Sequence, residues 1–240
     1  MKFNVLHFAS FLLASLPTGT ALLPSLELCL SCAKPIHCLN QGFDWAYYSN
    51  PLHNDGEGYP GFRADVVKTR ETVYSDVTPW IGGHLGYTEA DPDTSTIYGS
   101  SVELNSTYFT LNQHAYLYAC ESGTWQFDIT FVDDVVFVWV GDVAYSGWTD
   151  DNANAKAVWT FQGDNHYGSA SFRQDLDGGR FHPMRFVFAD GQWGGNFNLT
   201  ITSPSGVIVH QSGLDSDWIV RFSCDLEISA PRFPAFGAET

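Results

Sequence analysis

The stretch Thr124–Gly141 (TWQFDITFVDDVVFVWVG) constrains this chain more than any other. In its first half Trp125, Phe127, Ile129 and Phe131 alternate with Gln126, Asp128 and Thr130. That period of two predicts a strand with one face in a core. Ser122-Gly123 turns the chain into it. Val135–Val140 is continuously apolar, which predicts a second strand buried on both faces. Asp133 and Asp134 stand between the two. Neighbouring side chains on a strand point to opposite faces. Two carboxylates can therefore meet one ligand here only if the backbone bends sharply, as a cis peptide would allow. Calcium suits such a place, because it takes six to eight oxygens in flexible geometry. The dipeptide alone decides little, since a second pair, Asp150-Asp151, follows in the same Asp-rich chain.

The rest of the chain repeats the same grammar. Met184–Ala189 reads as another inner strand. Asn196–Thr202 alternates, with Phe197, Leu199 and Ile201 inward and Asn198 outward. Ser203-Pro-Ser-Gly206 is a turn, Val207–His210 pairs back, and Trp218–Cys224 reads as a closing strand. Residues 49–65, rich in Gly, Pro and Asn, read as a long surface loop, and 91–94 as another. No repeat, heptad or long amphipathic helix interrupts the pattern. Charged residues are 16% and aromatic residues 15%, which fits a β-rich globule with a substantial core and excludes disorder. The expected fold is all-β: an antiparallel, jelly-roll-like β-sandwich.

The N-terminus carries a weak positive start at Lys2, an apolar run over 5–16 and a small-residue exit at 18–21. Residues 1–21 are thus expected to be a secretory signal. Residues 22–37 form a Cys-containing lead-in, 38–230 the domain and 231–240 an irregular tail. No other run approaches the ~18 apolar residues of a membrane span. A net charge of −16 argues against nucleic acid and anionic membranes as partners. In a secreted chain the five cysteines, Cys29, Cys32, Cys38, Cys120 and Cys224, should pair with one left over. A bridge from the N-terminal cluster to Cys224 would tie the two ends together, but spacing leaves the pairing open. Asn105-Ser-Thr107 and Asn198-Leu-Thr200 are glycosylation sequons. The chain is expected to act as a monomer.

Chemistry concentrates around Asp133 and Asp134. A second loop, Ala189–Gly195, is glycine-rich, so its carbonyls can approach an ion closely, and Asp190 adds a third carboxylate. Calcium at an open loop end keeps coordination sites that vicinal sugar hydroxyls can take from water. Trp193, if exposed, could lie against a sugar ring; the alternative is a core residue at a strand start. Asp150–Asn154 begins like a helix–loop–helix calcium site, but Ala155 stands at the required Gly and Phe161 at the bidentate Glu. It reads as a surface loop. Neither G-x-S-x-G nor H-E-x-x-H occurs. The chain is expected not to be an enzyme, with a carboxylate-pair glycoside hydrolase as the enzymatic alternative.

These residues also resemble a family. Gln41-Gly-Phe-Asp-Trp-Ala-Tyr-Tyr48 is similar to the motif naming the GLEYA adhesin domain of fungi, with Phe43 for Leu, Asp44 for Glu and Trp45 for Tyr. Glu121–Phe127, Val132–Gly141, Ala144–Trp148, Asn152-Ala153, Pro183–Asp190 and Pro204–Gly206 resemble its later blocks in order, over roughly residues 38–225. The resemblance implies a β-sandwich related to the carbohydrate-binding domain of anthrax protective antigen. It implies calcium-dependent sugar binding through an Asp-Asp pair joined by a cis peptide, a role that falls to Asp133 and Asp134. The family's second loop supplies an Asn and backbone carbonyls. Asp190 stands where that Asn falls, followed by Gln192 and Trp193, in a loop slightly shorter than in flocculin-type members. The implied function is a secreted, calcium-dependent, glycan-binding lectin. Family adhesins often carry long Ser/Thr-rich repeats and a lipid anchor, neither of which is seen in this sequence. A freely secreted protein is therefore expected, with cell-wall association, or a wall or matrix protein that has lost sugar binding, as alternatives.

Overall fold

The computed structural model describes residues 32–85, 94–160 and 167–239. Residues 1–21, expected to be a signal segment, and Cys29 lie outside them. Among the described residues fourteen strands follow one another: β1 (Phe43–Ser49), β2 (Tyr74–Thr78), β3 (Gly83–His84), β4 (Thr94–Ser95), β5 (Leu104–Asn105), β6 (Phe109–Ala119) and β7 (Gly123–Asp133). Then come β8 (Val135–Val140), β9 (Ala155–Val158), β10 (Gly168–Leu176), β11 (Arg180–Asp190), β12 (Asn196–Thr202), β13 (Ile208–Gln211) and β14 (Ile219–Val220). The large sheet runs β2-β1-β6-β11-β8-β9, with β14 added to β6; the small sheet runs β10-β7-β12-β13, with β3 added to β12. Every pairing is antiparallel. The expected sandwich is present.

β8 is buried along its whole length, as its unbroken apolar run requires. Val136 and Val138 face the core between the sheets. Val135, Phe137 and Trp139 face a second core on the outer side of the large sheet, beneath the short helical segment Ala64–Thr69. β7 departs from simple alternation. Trp125, Phe127 and Ile129 point inward, but Phe131 does not; Val132 is fully buried in its place. The register explains the switch. Leu199 opposes Ile129 while Asn198 opposes Phe131, so Thr130 is one residue too many, and the strand β10 shows the same shift. Such a bulge inverts the faces beyond it. Phe131 turns outward against Tyr167, with ring centroids 4.1 Å apart.

Two corrections concern segments that read as surface. Residues 49–65 are not simply a surface loop, because Asn50, Asn54, Tyr59, Phe62 and Ala64 are buried. The closing strand over 218–224 shortens to β14. The described part of the tail, residues 231–239, has no strand or helix and packs on the large sheet. His114 stacks on Phe233 and Phe236, at centroid distances of 4.2 and 4.6 Å. Arg185, fully buried, meets Glu239 at 3.3 Å, donates to Asn112 Oδ1 at 2.6 Å and lies over the Trp148 ring at 4.9 Å. The compact unit thus begins at Cys32 and continues into the tail. Two disulfides tie it together, Cys32–Cys120 and Cys38–Cys224; the sequence left the pairing open, and the second bridge joins the two ends.

Glu239 neutralises a guanidinium with no access to water, and leaving a buried charge unpaired costs about 3–5 kcal/mol. Glu239→Ala is expected to lower unfolding free energy by about that amount in urea titrations. A loss below about 1 kcal/mol, the worth of an exposed ion pair, would contradict the burial of this pair.

Candidate ion and ligand site

The register brings the acids together. β7 lies in the small sheet and β8 in the large one, so the chain changes sheets at Asp133-Asp134. β11 and β12 make the opposite change through residues 191–195. Asn196 opposes Asp133 in one sheet, and Ala189 opposes Val135 in the other. The two crossings therefore run side by side. The peptide between Asp133 and Asp134 is cis.

Asp134 is 3% exposed and held at both oxygens: Asn54 Nδ2 donates to Oδ1 at 2.6 Å, and the Gly191 N–H to Oδ2 at 2.6 Å. Gly191 has to be glycine, since a Cβ there would stand 2.5 Å from Tyr59 Oη and 2.6 Å from the Asn54 nitrogen. Asp190 is fully buried; its Oδ1 accepts from the Gln192 N–H at 2.8 Å. Among the described residues, Asp190 Oδ2, Asn54 Oδ1 and Asn196 Oδ1 are buried oxygens without a hydrogen-bond partner.

Burial raises all three carboxyls. Asp133 is pushed up to about 7 by desolvation and then by Asp134. Asp134 rises by desolvation, partly offset by its bonds from Asn54 and Gly191. Asp190 rises well above the ordinary range through desolvation and then the Asp134 charge. No cationic side chain figures among these causes. Buried carboxylates without a basic partner are costly unless a cation joins them. All the donors are oxygens, the set that suits calcium rather than zinc or copper. The three acids stand wider than one coordination shell. Among the described residues the one trio of potential ligand atoms within 4.8 Å of one another is Cys32, Cys120 and Glu121, and those cysteines are disulfide-bonded.

The other expected positions divide. Gln192 turns its amide to the Asn54 carbonyl at 3.1 Å. Trp193 is 65% exposed and is not a core residue; its φ is +69°. Asp150 serves the fold, accepting from the Ala64 N–H at 2.9 Å and pairing with Arg63 at 3.2 Å. Asn105 and Asn198 are exposed, as glycan acceptors must be. Asn54, Asn50 and Tyr59 escaped sequence reasoning. They occupy an aperiodic loop, and the only hint was its enrichment in Asn and Gly.

Residues 109–203 match the family model of the GLEYA domain, so the family resemblance holds over that stretch. The motif at 41–48 precedes it and forms β1, which pairs with β6. Over 84 residues, 35% of this chain, the sequence is 37% identical to pfl4 of Schizosaccharomyces pombe, named as a cell agglutination protein, and covers 14% of it. It is 38% identical over 82 residues, 34% of this chain, to pfl8 of the same organism, similarly named, and covers 20% of it. The chain thus spans a fifth or less of these relatives. Among solved structures, the A domain of epithelial adhesin 6 from Candida glabrata, in complex with Galb1-3GlcNAc, is similar at a TM-score of 0.58 and 20% identity, over 80% of this chain and 92% of that one. The PA14 domain of the MpAFP antifreeze protein is similar at 0.52 and 15% identity, over 78% and 94%. The fold is the β-sandwich of these adhesin A and PA14 domains, and the two Schizosaccharomyces relatives are named for cell agglutination, not for an enzymatic activity.

The raised Asp133 carboxyl carries a pH signature. The folded chain keeps a proton up to about pH 7 that an unfolded Asp releases near pH 4. In chelator, this group therefore contributes stability below about pH 4 that is lost as pH rises toward 7. The buried His210, lowered to about 4, acts in the opposite direction, so the comparison must cancel it. Relative to Asp133→Asn, the chelated protein should lose thermal stability between about pH 4 and 7, and calcium should restore it. Parallel melting curves for the two proteins would contradict this.

Proposed function

We propose that this chain is a secreted, calcium-dependent, glycan-binding module of the adhesin type. The observation that carries the proposal is the acidic cluster at the paired sheet crossings, with its buried oxygens and no basic partner. Asp133, Asp134 and Asp190 would hold the ion. Because the acids stand wider than one shell, holding it by all three requires side-chain rotation. Calcium, when bound, supplies open coordination positions to vicinal hydroxyls of a sugar. The chain's own residues do the rest. Gly191 lets the second loop approach closely enough to give its N–H to Asp134. Ala189 and Val135, paired where the large sheet meets the two crossings, are both fully buried and would keep water from that side of the site. Trp193 offers an exposed ring beside the acids. It sits in a left-handed backbone conformation that costs an ordinary residue about 1 kcal/mol or more and clusters at ligand sites. The glycan bound by the Candida glabrata adhesin domain supports the class of ligand. Secretion, glycosylation at Asn105 and Asn198, and a monomeric state belong to the same reading, and the two disulfides support an oxidising compartment.

A second reading keeps the ion and drops the sugar. It is favoured by Asp190 at the family's Asn position and by the Gln192 amide, which is already engaged with Asn54. It makes the protein a wall or matrix component.

Calorimetry with calcium and a glycan array separate the readings. The lectin reading expects a calcium-dependent array signal that disappears with chelator and in the Asp133→Ala, Asp134→Ala double variant. Calcium binding without array signal would select the second reading. Array binding that survives both treatments would sink the site.

A further inference from the structure

The two crossings do not complete the site, because a third segment closes it. The loop after β1 is locked against the second crossing. Asn50 Nδ2 donates to Tyr59 Oη at 2.7 Å and to the Asp190 carbonyl at 2.9 Å. Tyr59 Oη donates to the Leu52 carbonyl at 2.7 Å, and Gln192 Nε2 to the Asn54 carbonyl at 3.1 Å. These bonds fix Asn54, fully buried, against Asp134. One end of its amide is used: Nδ2 donates to Asp134. The other end, Oδ1, is buried and has no donor among the described residues.

A buried amide oxygen without a donor costs about 1–3 kcal/mol. It is costlier beside carboxylates, which repel its negative end, and this one is held there by a bond in its own amide. A cation resolves both problems at once. It accepts the oxygen and leaves the Nδ2 bond to orient Asp134. Calcium takes amide oxygens as readily as carboxylates and needs more donors than three side chains supply.

We propose that Asn54 is a further ligand side chain of the ion site, giving Oδ1 to the ion while Nδ2 positions Asp134. The loop Asn50–Tyr59 is then the third wall of that site. This rests on the proposed calcium reading.

Terbium, a luminescent stand-in for calcium, tests it. Luminescence lifetimes in H₂O and D₂O count the waters on the bound ion, which a merely structural role for Asn54 would not change. In Asn54→Ala the ion should carry one more water than in the unmodified chain, with affinity about 10–100-fold lower. Asn54→Asp, which keeps an oxygen in place, should retain the original count. If Asn54→Ala does not fold, Asn54→Ser carries the test, since its hydroxyl is too short to reach and should also add a water. An unchanged water count in a folded variant, with or without an affinity loss, overturns the assignment while leaving the Asp133, Asp134 and Asp190 site standing. Failure of the unmodified chain to bind terbium or calcium overturns both.

Discussion

Two register pairs organise this molecule: Asn196 opposite Asp133 in the small sheet, and Ala189 opposite Val135 in the large one. They force two sheet-changing crossings to lie side by side at one end of the sandwich. The meeting of the three acids follows from that adjacency. One crossing is as short as a crossing can be, a single residue between strands, and it carries the Asp pair. The other is longer, and its Gly191 allows backbone, Tyr59 and Asn54 to meet at distances a side chain would forbid. β8 is buried along its whole length and β11 from Pro183 to Asp190, so the acids are held at the ends of buried strands rather than on an exposed loop tip.

Charge is what supports reading this arrangement as a candidate site. A folded chain avoids burying carboxyls without partners, since each such group costs several kcal/mol. Here burial pushes all three acids toward their neutral forms, and charge repulsion from Asp134 adds to it at Asp133 and Asp190. The same molecule shows the ordinary solution elsewhere, where buried Arg185 is matched by Glu239, Asn112 and an aromatic ring. The contrast between a buried charge fully matched within the chain and a buried acidic cluster that is not separates structure from function.

The strands were legible because their patterns are local. Val135–Val140 announces burial on both faces, and the alternating strand before it places Asp133 and Asp134 where the two strands meet; that the chain changes sheets there shows only in the structure. The bulge at Thr130 was not legible. It arises from a mismatch with both neighbouring strands, and nothing in ITFV signals an extra residue. Asn54 was hidden for a related reason. Its role depends on where a long aperiodic loop folds back, and polar loop residues look alike until a tertiary contact distinguishes them. The docking of the tail through Phe233, Phe236 and Glu239 was equally invisible, because short irregular segments carry no periodicity to read. The Asp190 position was legible through the family resemblance, but its complete burial was not.

The most direct test is a crystal structure grown in saturating calcium near neutral pH. The predicted result is one ion at the paired crossings, with oxygens of Asp133, Asp134 and Asp190 at about 2.3–2.6 Å. An ion bound elsewhere, or the three carboxyl groups left without one at saturation, would contradict it.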